Sequence, residues 1–375
     1  MRVSFFLQDL DGGGAERAII RLADEVALAG YEVDLVVGYA DTAYRGEVAR
    51  RVNLIDFGSR SPLLVFPKLV AYLRARPPNV IMSALDLANI MMIIATILAG
   101  FEGRRVISQR AVLDASLRDL NRARSWLTRL MMSACFPRAD AVISNSHAAA
   151  VELEEKLSIP KHKIFTIQNA IDVGRITQLA QLPLNEPFIL AKQELRVVTV
   201  GSLTKRKDMV TLIKAFAVLH ASRPCRLILV GQGPERPALE ALVKSLDLEE
   251  AVYFAGFDAN PYKWIRAASV FVSSSTEEGY PNVIAEALAL DCPVVATDCP
   301  GDTAELLGYG KWGRLVPVGD PATMAAAILT TLDDPNPPRG SYRAADFSPA
   351  RNLAAYLDIL LPKGELANIT SREAA

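Results

Sequence analysis

The sequence predicts an α/β protein made of two doubly wound domains, and three observations support this fold class. With 375 residues, the chain exceeds the size at which one hydrophobic core usually divides into two. Hydrophobic residues make up 51% of it, which is enough to cover parallel sheets on both faces. Short β-rich runs also alternate with helical segments along most of the chain, as in folds that wind helices around a parallel sheet.

The first series of alternating elements is predicted to form a domain over residues 1–185. Its strand candidates are mostly continuous apolar runs, typical of strands buried on both faces: "VSFFLQ", "VDLVVG", "NVIMSA", "RRVIS", "DAVISN" and "KIFTIQN". A helix is predicted over "ERAIIRLADEVALAG" because its apolar residues recur at helical spacing. The most apolar stretch, "LANIMMIIATILAG", is shorter than the ~20 residues that span a bilayer, so we expect a buried helix there.

The second series follows a break that contains Pro183 and Pro187, and it is predicted to form a domain over residues 186–347. Its strand candidates are "RVVTVG", "RLILVG", "AVYFAG", "SVFVSS", "PVVAT" and "GRLVPV". The segment 348–375 begins with an amphipathic helix, "SPARNLAAYLDILL". Ligands of doubly wound domains bind at the carboxyl ends of the strands, so the loops after these strands should carry the site.

Composition narrows the class of protein. A net charge of −1 argues against general binding of nucleic acid. The four cysteines show no CxxC spacing and the three histidines are dispersed, so we expect a reduced, cytoplasmic protein without a metal. The start, "MRVSFFLQDLDGGG", does not read as a signal peptide.

Two glycine-rich loops and one cationic loop follow predicted strands. "DLDGGGAERA" could hold an anion at a helix N-terminus or form a tight turn, and "LVGQGPERPALEAL" leaves the same two possibilities open. In "GSLTKRKD", Lys205, Arg206 and Lys207 are placed where they could neutralise a diphosphate, the main electrostatic service that phosphate chemistry requires. A solvated cationic loop is the alternative.

Two carboxylates bracket a predicted loop-to-helix segment, "SSSTEEGYPNVIAEALAL", over residues 273–290. Pro281 suits the first helical position, so Glu286 lies one turn after Asn282 on the same face. Glu278 lies in the loop before the helix. Carboxylates bind vicinal hydroxyls through charge-assisted hydrogen bonds, and the helix N-terminus favours an anion between the two acids. Taken alone, the pair could equally be two surface acids.

The segment "EGYPNVIAE" resembles the E-x7-E motif of the retaining glycosyltransferases of family 4, also called glycosyltransferase group 1. The surrounding sequences "GSLTKRKDMVTLIKAF", "LILVGQGPE" and "GRLVPVGD" resemble that family too, as do "GGGAERAIIRLADEVALAGYEVDLVV" and "DAVISNSHAAAVEL" upstream. The resemblance covers most of the chain and is strongest over residues 198–320.

The resemblance implies a GT-B fold, in which two Rossmann-like domains face each other across a cleft. It implies a nucleotide-sugar donor, an acceptor on the N-terminal domain, no metal or other cofactor, and a final helix that returns to the N-terminal domain. Catalytic roles would fall to Glu278, Lys207 and Arg206. Donor-binding roles would fall to Gly13, Gly14, Gly201, Ser202, Lys207, Gly231, Gly279, Tyr280, Pro281, Asn282, Val283 and Glu286. Within this set Glu286 would bind the ribose, Glu278 the transferred sugar and Lys207 the diphosphate.

Two positions depart from the family pattern. The family commonly has an arginine where this chain has Ser202, and Arg206 is our hypothesis for the missing charge. Many members also carry an N-domain histidine where this chain has Gln109 or Arg110. His147 follows a later strand and is interpreted as a residue at a helix start.

An arginine-rich segment in the N-terminal domain suggests a partner. Residues 104–138 contain eight arginines against two acids, with Trp126, Leu127 and Leu130 among them. An amphipathic helix on anionic lipid is one interpretation, which would suit a lipid-linked acceptor at the inner face of the cytoplasmic membrane. A solvated helix is the other.

The predicted function is therefore a retaining glycosyltransferase of the hexosyltransferase type. It would move a sugar from a UDP- or GDP-sugar to a glycan, glycolipid or lipid-linked acceptor in envelope polysaccharide or glycan biosynthesis. The alternatives are a catalytically silent nucleotide-sugar-binding subunit and a sugar-nucleotide epimerase. A dehydrogenase fits poorly, because the glycine spacing of a dinucleotide site is missing.

Overall fold

The computed structural model describes residues 1–11, 14–42, 44–110, 113, 121–184 and 194–361. These residues form two compact units. The first contains the described residues up to Asn169 and those from Ala350 onward, and the second contains those of Ala170–Pro349. Each unit is an α/β domain with one fully parallel sheet, so the predicted fold class is confirmed.

The first unit contains a seven-stranded sheet with the order β3-β2-β1-β4-β5-β6-β7. Its strands are β1 Arg2–Asp9, β2 Glu32–Tyr39, β3 Asn53–Asp56, β4 Val80–Ala84, β5 Arg104–Gln109, β6 Ala141–Ser144 and β7 Ile164–Thr166. Its helices up to residue 157 are α1 Gly14–Leu28, α2 Pro62–Ala75, α3 Asp86–Ala99, α4 Arg122–Cys135 and α5 His147–Leu157. All six predicted strands are confirmed. The seventh, β3, was missed because it is a short edge strand whose four residues all keep some exposure.

The second unit contains a six-stranded sheet with the order β10-β9-β8-β11-β12-β13. Its strands are β8 Leu195–Val200, β9 Cys225–Val230, β10 Val252–Gly256, β11 Val270–Ser273, β12 Val294–Thr297 and β13 Arg314–Val316. Its helices are α6 Val173–Ala180, α7 Met209–Ser222, α8 Arg236–Ser245, α9 Tyr262–Arg266, α10 Asn282–Ala289, α11 Thr303–Leu306, α12 Pro321–Leu332 and α13 Ser341–Ala344. All six predicted strands are present.

The cores follow from the apolar strands. In each unit, buried strand residues pack against helices on both faces, which explains why the strands read as continuous apolar runs. Helix α3, the most apolar stretch of the chain, is largely buried, as expected, and ends at Gly100 in the left-handed conformation (φ 66°).

The chain passes from the first unit to the second at residues 169/170, earlier than the predicted boundary at 185/186. Helix α6 accounts for the difference, because it packs in the second unit. Ile176 lies in one core cluster with Ile265 and Tyr280, and the Nδ2 group of Asn260 donates to the carbonyl of Leu179 at 2.9 Å.

The last described helix, α14 (Pro349–Leu360), packs on the sheet of the first unit. Tyr356, Ile359 and Leu360 are buried in the same cluster as strands β1 and β2. Arg104 Nε donates to the carbonyl of Ile359 at 2.8 Å, and Asn352 Nδ2 donates to the carbonyl of Gln168 at 2.5 Å.

Candidate active site

The order of the strands locates the candidate site in the second unit. The sheet grows in one direction from β8 to β10 and in the other from β11 to β13, so the order reverses between β8 and β11. Loops that follow strands at such a switch point diverge and leave a crevice at the carboxyl edge. Lys207 lies in the loop after β8, and Glu278 lies in the loop after β11.

Glu278 is the centre of a buried cluster of charged side chains. Its Oε1 atom accepts from Lys207 Nζ and, at 2.7 Å, from Ser275 Oγ. Its Oε2 atom accepts from Arg206 Nη1 at 3.1 Å. The side chain of Glu278 is 6% exposed, that of Lys207 is 13% exposed and that of Arg206 is 39% exposed. These two cations and one carboxylate together carry a net positive charge.

The cluster keeps Glu278 ionised. Burial by itself raises the pKa of this carboxyl group, but the charge of Lys207 and the hydrogen bonds from Lys207 and Ser275 outweigh it, helped by the charge of Arg206. The pKa of Glu278 therefore lies below its ordinary value of 4.5. At neutral pH the side chain is a carboxylate that can accept hydrogen bonds and cannot donate one.

Backbone contacts join the loop after β8 to the loop after β11. Ser274 Oγ donates to the carbonyl of Lys207 at 2.8 Å, and the backbone N–H of Thr276 donates to the carbonyl of Arg206, also at 2.8 Å. Asp208 follows directly and caps helix α7, its side chain accepting from the N–H and the hydroxyl of Thr211. The main chain of Arg206 and Lys207 is therefore held by the loop after β11 on one side and by the capped start of α7 on the other.

Two glycines allow the close packing that this arrangement requires. A Cβ atom on Gly231 (φ 150°) would lie 1.9 Å from the carbonyl oxygen of Gly201, so the loops after β8 and β9 meet backbone to backbone. A Cβ atom on Gly301 (φ 127°) would lie 1.7 Å from the carbonyl oxygen of Glu278. The N–H of Glu278 donates to the carbonyl of Pro300 at 2.9 Å, so the main chain of the acid is held on this side too.

The second acid, Glu286, lies on helix α10 and is half-buried. The hydroxyl of Tyr262, from α9, donates to Glu286 Oε1 at 3.4 Å. The helix begins at Asn282, one residue later than predicted, and Pro281 is its N-cap. Tyr280 is buried and packs edge-on against Phe347 with ring centroids 5.8 Å apart, so this tyrosine turns towards the core.

The other predicted donor-binding residues lie in several places. Gly201 and Ser202 directly follow β8, and Ser202 is exposed. Gly279 and Val283 flank the start of α10 and are half-buried. Gly14 is the first residue of α1 in the first unit. Gly13 lies outside the described residues.

Three residues that support the site were not predicted, namely Ser275, Tyr262 and Gly301. Ser275 is one of three serines after β11, and only the register of the loop shows which of them reaches Glu278. The cap by Asp208 agrees with the sequence, because an aspartate just before a helical apolar run is a standard N-cap signal.

The carboxyl edge of the first unit carries different groups. Gln109 ends β5 and is buried, while Arg110 follows it and donates from Nη1 to the hydroxyl of Tyr356 on α14 at 3.1 Å. Ser83 and Asn89 form a buried hydrogen bond of 2.7 Å. His147 is the exposed first residue of α5, which Ser146 caps, as expected for a helix start.

Helix α4 in the first unit exposes apolar side chains. Trp126 is 67% exposed, and Leu127 and Leu130 are about half exposed. Arg124 and Arg129 lie on the same helix and are also exposed. Among the described residues, none of the helices combines the length and hydropathy that crossing a bilayer requires.

Two α/β units, each with a parallel sheet, are the architecture of GT-B glycosyltransferases, and comparisons with known proteins assign the chain to this class. The model described as Glycosyltransferase Family 4 matches residues 12–175, and the model described as Glycosyl transferases group 1 matches residues 194–334.

Individual proteins agree with the family models. The N-acetylgalactosamine-N,N'-diacetylbacillosaminyl-diphospho-undecaprenol 4-alpha-N-acetylgalactosaminyltransferase of Campylobacter jejuni is 30% identical over 343 residues, covering 89% of this chain and 90% of the relative. The lipopolysaccharide outer core galactosyltransferase WaaB superposes with a TM-score of 0.76 at 15% identity, covering 97% of this chain and 100% of that one. Anabaena Alr3699/HepE in complex with UDP superposes with a TM-score of 0.72 at 22% identity, covering 99% of this chain and 100% of that one. The chain belongs to glycosyltransferase family 4.

Proposed function

We propose that this protein is a retaining glycosyltransferase that takes its sugar from a UDP- or GDP-sugar. The observation that carries the proposal is the cluster of Glu278, Lys207 and Arg206 at the switch point of the second sheet. Two fixed cations beside one ionised carboxylate suit a ligand that has a diphosphate next to a group rich in hydroxyls. A nucleotide sugar has this composition, and the Anabaena structure named above contains UDP.

Each part of the donor has a counterpart in the second unit. Lys207 and Arg206 are proposed to bind the diphosphate, with Arg206 supplying the charge that Ser202 cannot. Glu278 is proposed to accept hydrogen bonds from the transferred sugar. Glu286 is proposed to bind the ribose hydroxyls, oriented by the hydroxyl of Tyr262. Gly201, Gly231 and the main chain around the start of α10 would approach the sugar and phosphates.

The proposed reaction is a displacement on one face of the sugar. The bond from the anomeric carbon to the diphosphate oxygen breaks, and the acceptor oxygen forms a bond to the same carbon from the same side. The acceptor proton passes to the departing phosphate oxygen, so no covalent enzyme intermediate forms. Lys207 and Arg206 would stabilise the charge that grows on the leaving group. Because Lys207 and Arg206 would neutralise the diphosphate as a bound metal ion could, we propose that the reaction requires no metal.

We further propose a lipid-linked or glycan acceptor at a membrane surface, in envelope polysaccharide or glycan biosynthesis. The exposed Trp126, Leu127 and Leu130, together with the arginines of α4, suit the interfacial region of an anionic membrane. The relative from Campylobacter jejuni is named for a diphospho-undecaprenol acceptor, which is a lipid. The protein would then work at the cytoplasmic face of the membrane.

The test is a transfer assay with UDP- and GDP-sugars and a polyprenyl-diphosphate-sugar acceptor. We expect release of nucleoside diphosphate that depends on the acceptor, and a product whose anomeric configuration by NMR equals that of the donor. Donor binding without turnover for any acceptor would favour the silent subunit instead. An acceptor-independent change of the sugar would favour the epimerase.

A further inference from the structure

The two cations assigned to the diphosphate are the same two that Glu278 holds. Lys207 Nζ is bonded to one carboxylate oxygen of Glu278, and Arg206 Nη1 is bonded to the other at 3.1 Å. Within the described residues, the only further hydrogen bond recorded to this carboxylate comes from Ser275 Oγ. A diphosphate that binds these cations therefore competes with Glu278 for their hydrogen bonds and their charge.

This exchange is costly for a bare nucleotide. The carboxylate is 6% exposed, so water cannot fully replace the charged donors that it would lose. A buried charge that loses its partner is strongly destabilised, and the diphosphate adds like-charge repulsion.

A sugar on the diphosphate changes the balance. Its hydroxyls are hydrogen-bond donors, and a carboxylate accepts strongly from them. They can therefore replace Lys207 and Arg206 around Glu278 while the two cations turn to the diphosphate. A nucleoside diphosphate without a sugar offers Glu278 no such replacement.

We infer that Glu278 makes this site select the sugar-bearing donor over its own nucleoside diphosphate product. The carboxylate competes with the product for Lys207 and Arg206, and the sugar relieves that competition. After transfer, Glu278 recaptures both cations and favours release of the product. The inference rests on the proposed function, because it assumes that the diphosphate binds at these two cations.

The test is calorimetric titration of UDP, GDP, UDP-glucose and GDP-mannose into the wild type and Glu278→Gln at constant ionic strength. Removing the charge should tighten binding of the preferred nucleoside diphosphate about tenfold, as expected for loss of one close charge competitor. It should weaken binding of a matching nucleotide sugar, so the ratio of the two dissociation constants should reverse. Glu249→Gln, which removes the same charge from an exposed position of the second unit, should leave both constants unchanged.

A second variant keeps the test informative if Glu278→Gln fails to fold. Glu278→Asp keeps the charge but shortens the side chain, so it should hold the cations less closely and tighten nucleoside diphosphate binding about threefold. If Glu278 had only a structural role, its substitution would weaken binding of both the nucleoside diphosphate and the nucleotide sugar. It would not reverse which of the two binds more tightly.

The outcomes separate the two ideas. If the wild type binds a nucleotide sugar but neither variant binds the nucleoside diphosphate more tightly, the competition is refuted and the donor site stands. If the wild type binds none of the nucleotides or nucleotide sugars, both the donor site and the competition are refuted.

Discussion

The two sheets have related topologies, but their carboxyl edges carry different chemistry. The edge of the second unit gathers Lys207, Arg206 and Glu278 into one ion cluster. At the edge of the first unit, the described polar groups beside β4 and β5 are mostly neutral, such as Ser83 and Asn89, and Arg110 is bonded to a tyrosine hydroxyl. Two sheets of related topology thus carry different side chains at their carboxyl edges, so the fold alone does not determine the chemistry of a site.

The surfaces of the two units differ in a related way. Helix α4 of the first unit exposes Trp126, Leu127 and Leu130 beside arginines, whereas Lys207 and Arg206 of the second unit are bonded to Glu278. This difference supports the proposal that the second unit binds the charged donor and that the first unit contacts the acceptor at a membrane surface.

The largest effect is expected for Glu278→Gln. The substitution replaces the charged hydrogen-bond acceptor proposed for the transferred sugar by a neutral amide, so kcat for transfer should fall by about 10²–10³-fold. Steady-state release of nucleoside diphosphate measures it, with Glu249→Gln as the control. Turnover within a factor of two of the wild type would show that the charge of Glu278 has no part in catalysis.

Arg206→Ala is expected to have the next largest effect. It removes one of the two charges proposed for the diphosphate, so kcat/KM for the donor should fall tenfold or more, within the range of a lost charged contact. Lys205→Ala is the matched control, because Lys205 is the exposed neighbouring cation of the same turn. Equal kcat/KM values for the wild type and Arg206→Ala would exclude Arg206 as the replacement for the family arginine.

A change in the first unit should separate membrane contact from donor binding. The double variant Trp126→Ala with Leu130→Ala removes exposed apolar area, so co-sedimentation with anionic vesicles should drop by about fivefold. Calorimetric donor binding should not change. Leu182→Ala, an exposed leucine of the second unit, should retain both properties. If the fraction of protein that co-sediments with vesicles depends neither on lipid charge nor on the double substitution, the membrane interpretation is wrong.

The smallest effect concerns stability and pH. The pKa of Glu278 is lowered from 4.5 in the folded protein, so its ionised form contributes stability that is fully present above pH 4.5. This contribution is lost as the pH falls through the lower folded-state value. The Tm of the wild type should exceed that of Glu278→Gln by about 2–4 °C at pH 7, and the difference should shrink below pH 4.5. A difference in Tm between wild type and Glu278→Gln that grows on acidification would contradict a lowered pKa of Glu278.

Much of the fold and part of the site could be predicted from the sequence, for physical reasons. Buried parallel strands are continuous apolar runs, so twelve of the thirteen described strands were found and only the half-exposed β3 was missed. The segments holding Lys207 and Glu278 were found because loops after such strands carry ligands. Their direct contact was not found, because 71 residues separate them and only the sheet order brings their loops together.

Other features depend on packing that a linear pattern does not reveal. The boundary was placed near Pro183 because prolines break periodicity, but helix α6 before it packs against α9 and belongs to the second unit. Tyr262 lies 24 residues before Glu286, and only the packing of two helices makes them partners.

A thermal-shift screen of the purified protein against UDP, GDP, ADP, TDP and their common sugar conjugates asks directly whether the donor site exists. We propose that the second unit binds a nucleotide sugar through Glu286, Lys207 and Arg206. We expect selective stabilisation by one base and its sugar conjugate, which Glu286→Ala abolishes without lowering the Tm of the unliganded protein by more than a few degrees. Stabilisation that survives Glu286→Ala, or no stabilisation with any nucleotide, would refute binding of the donor at this site.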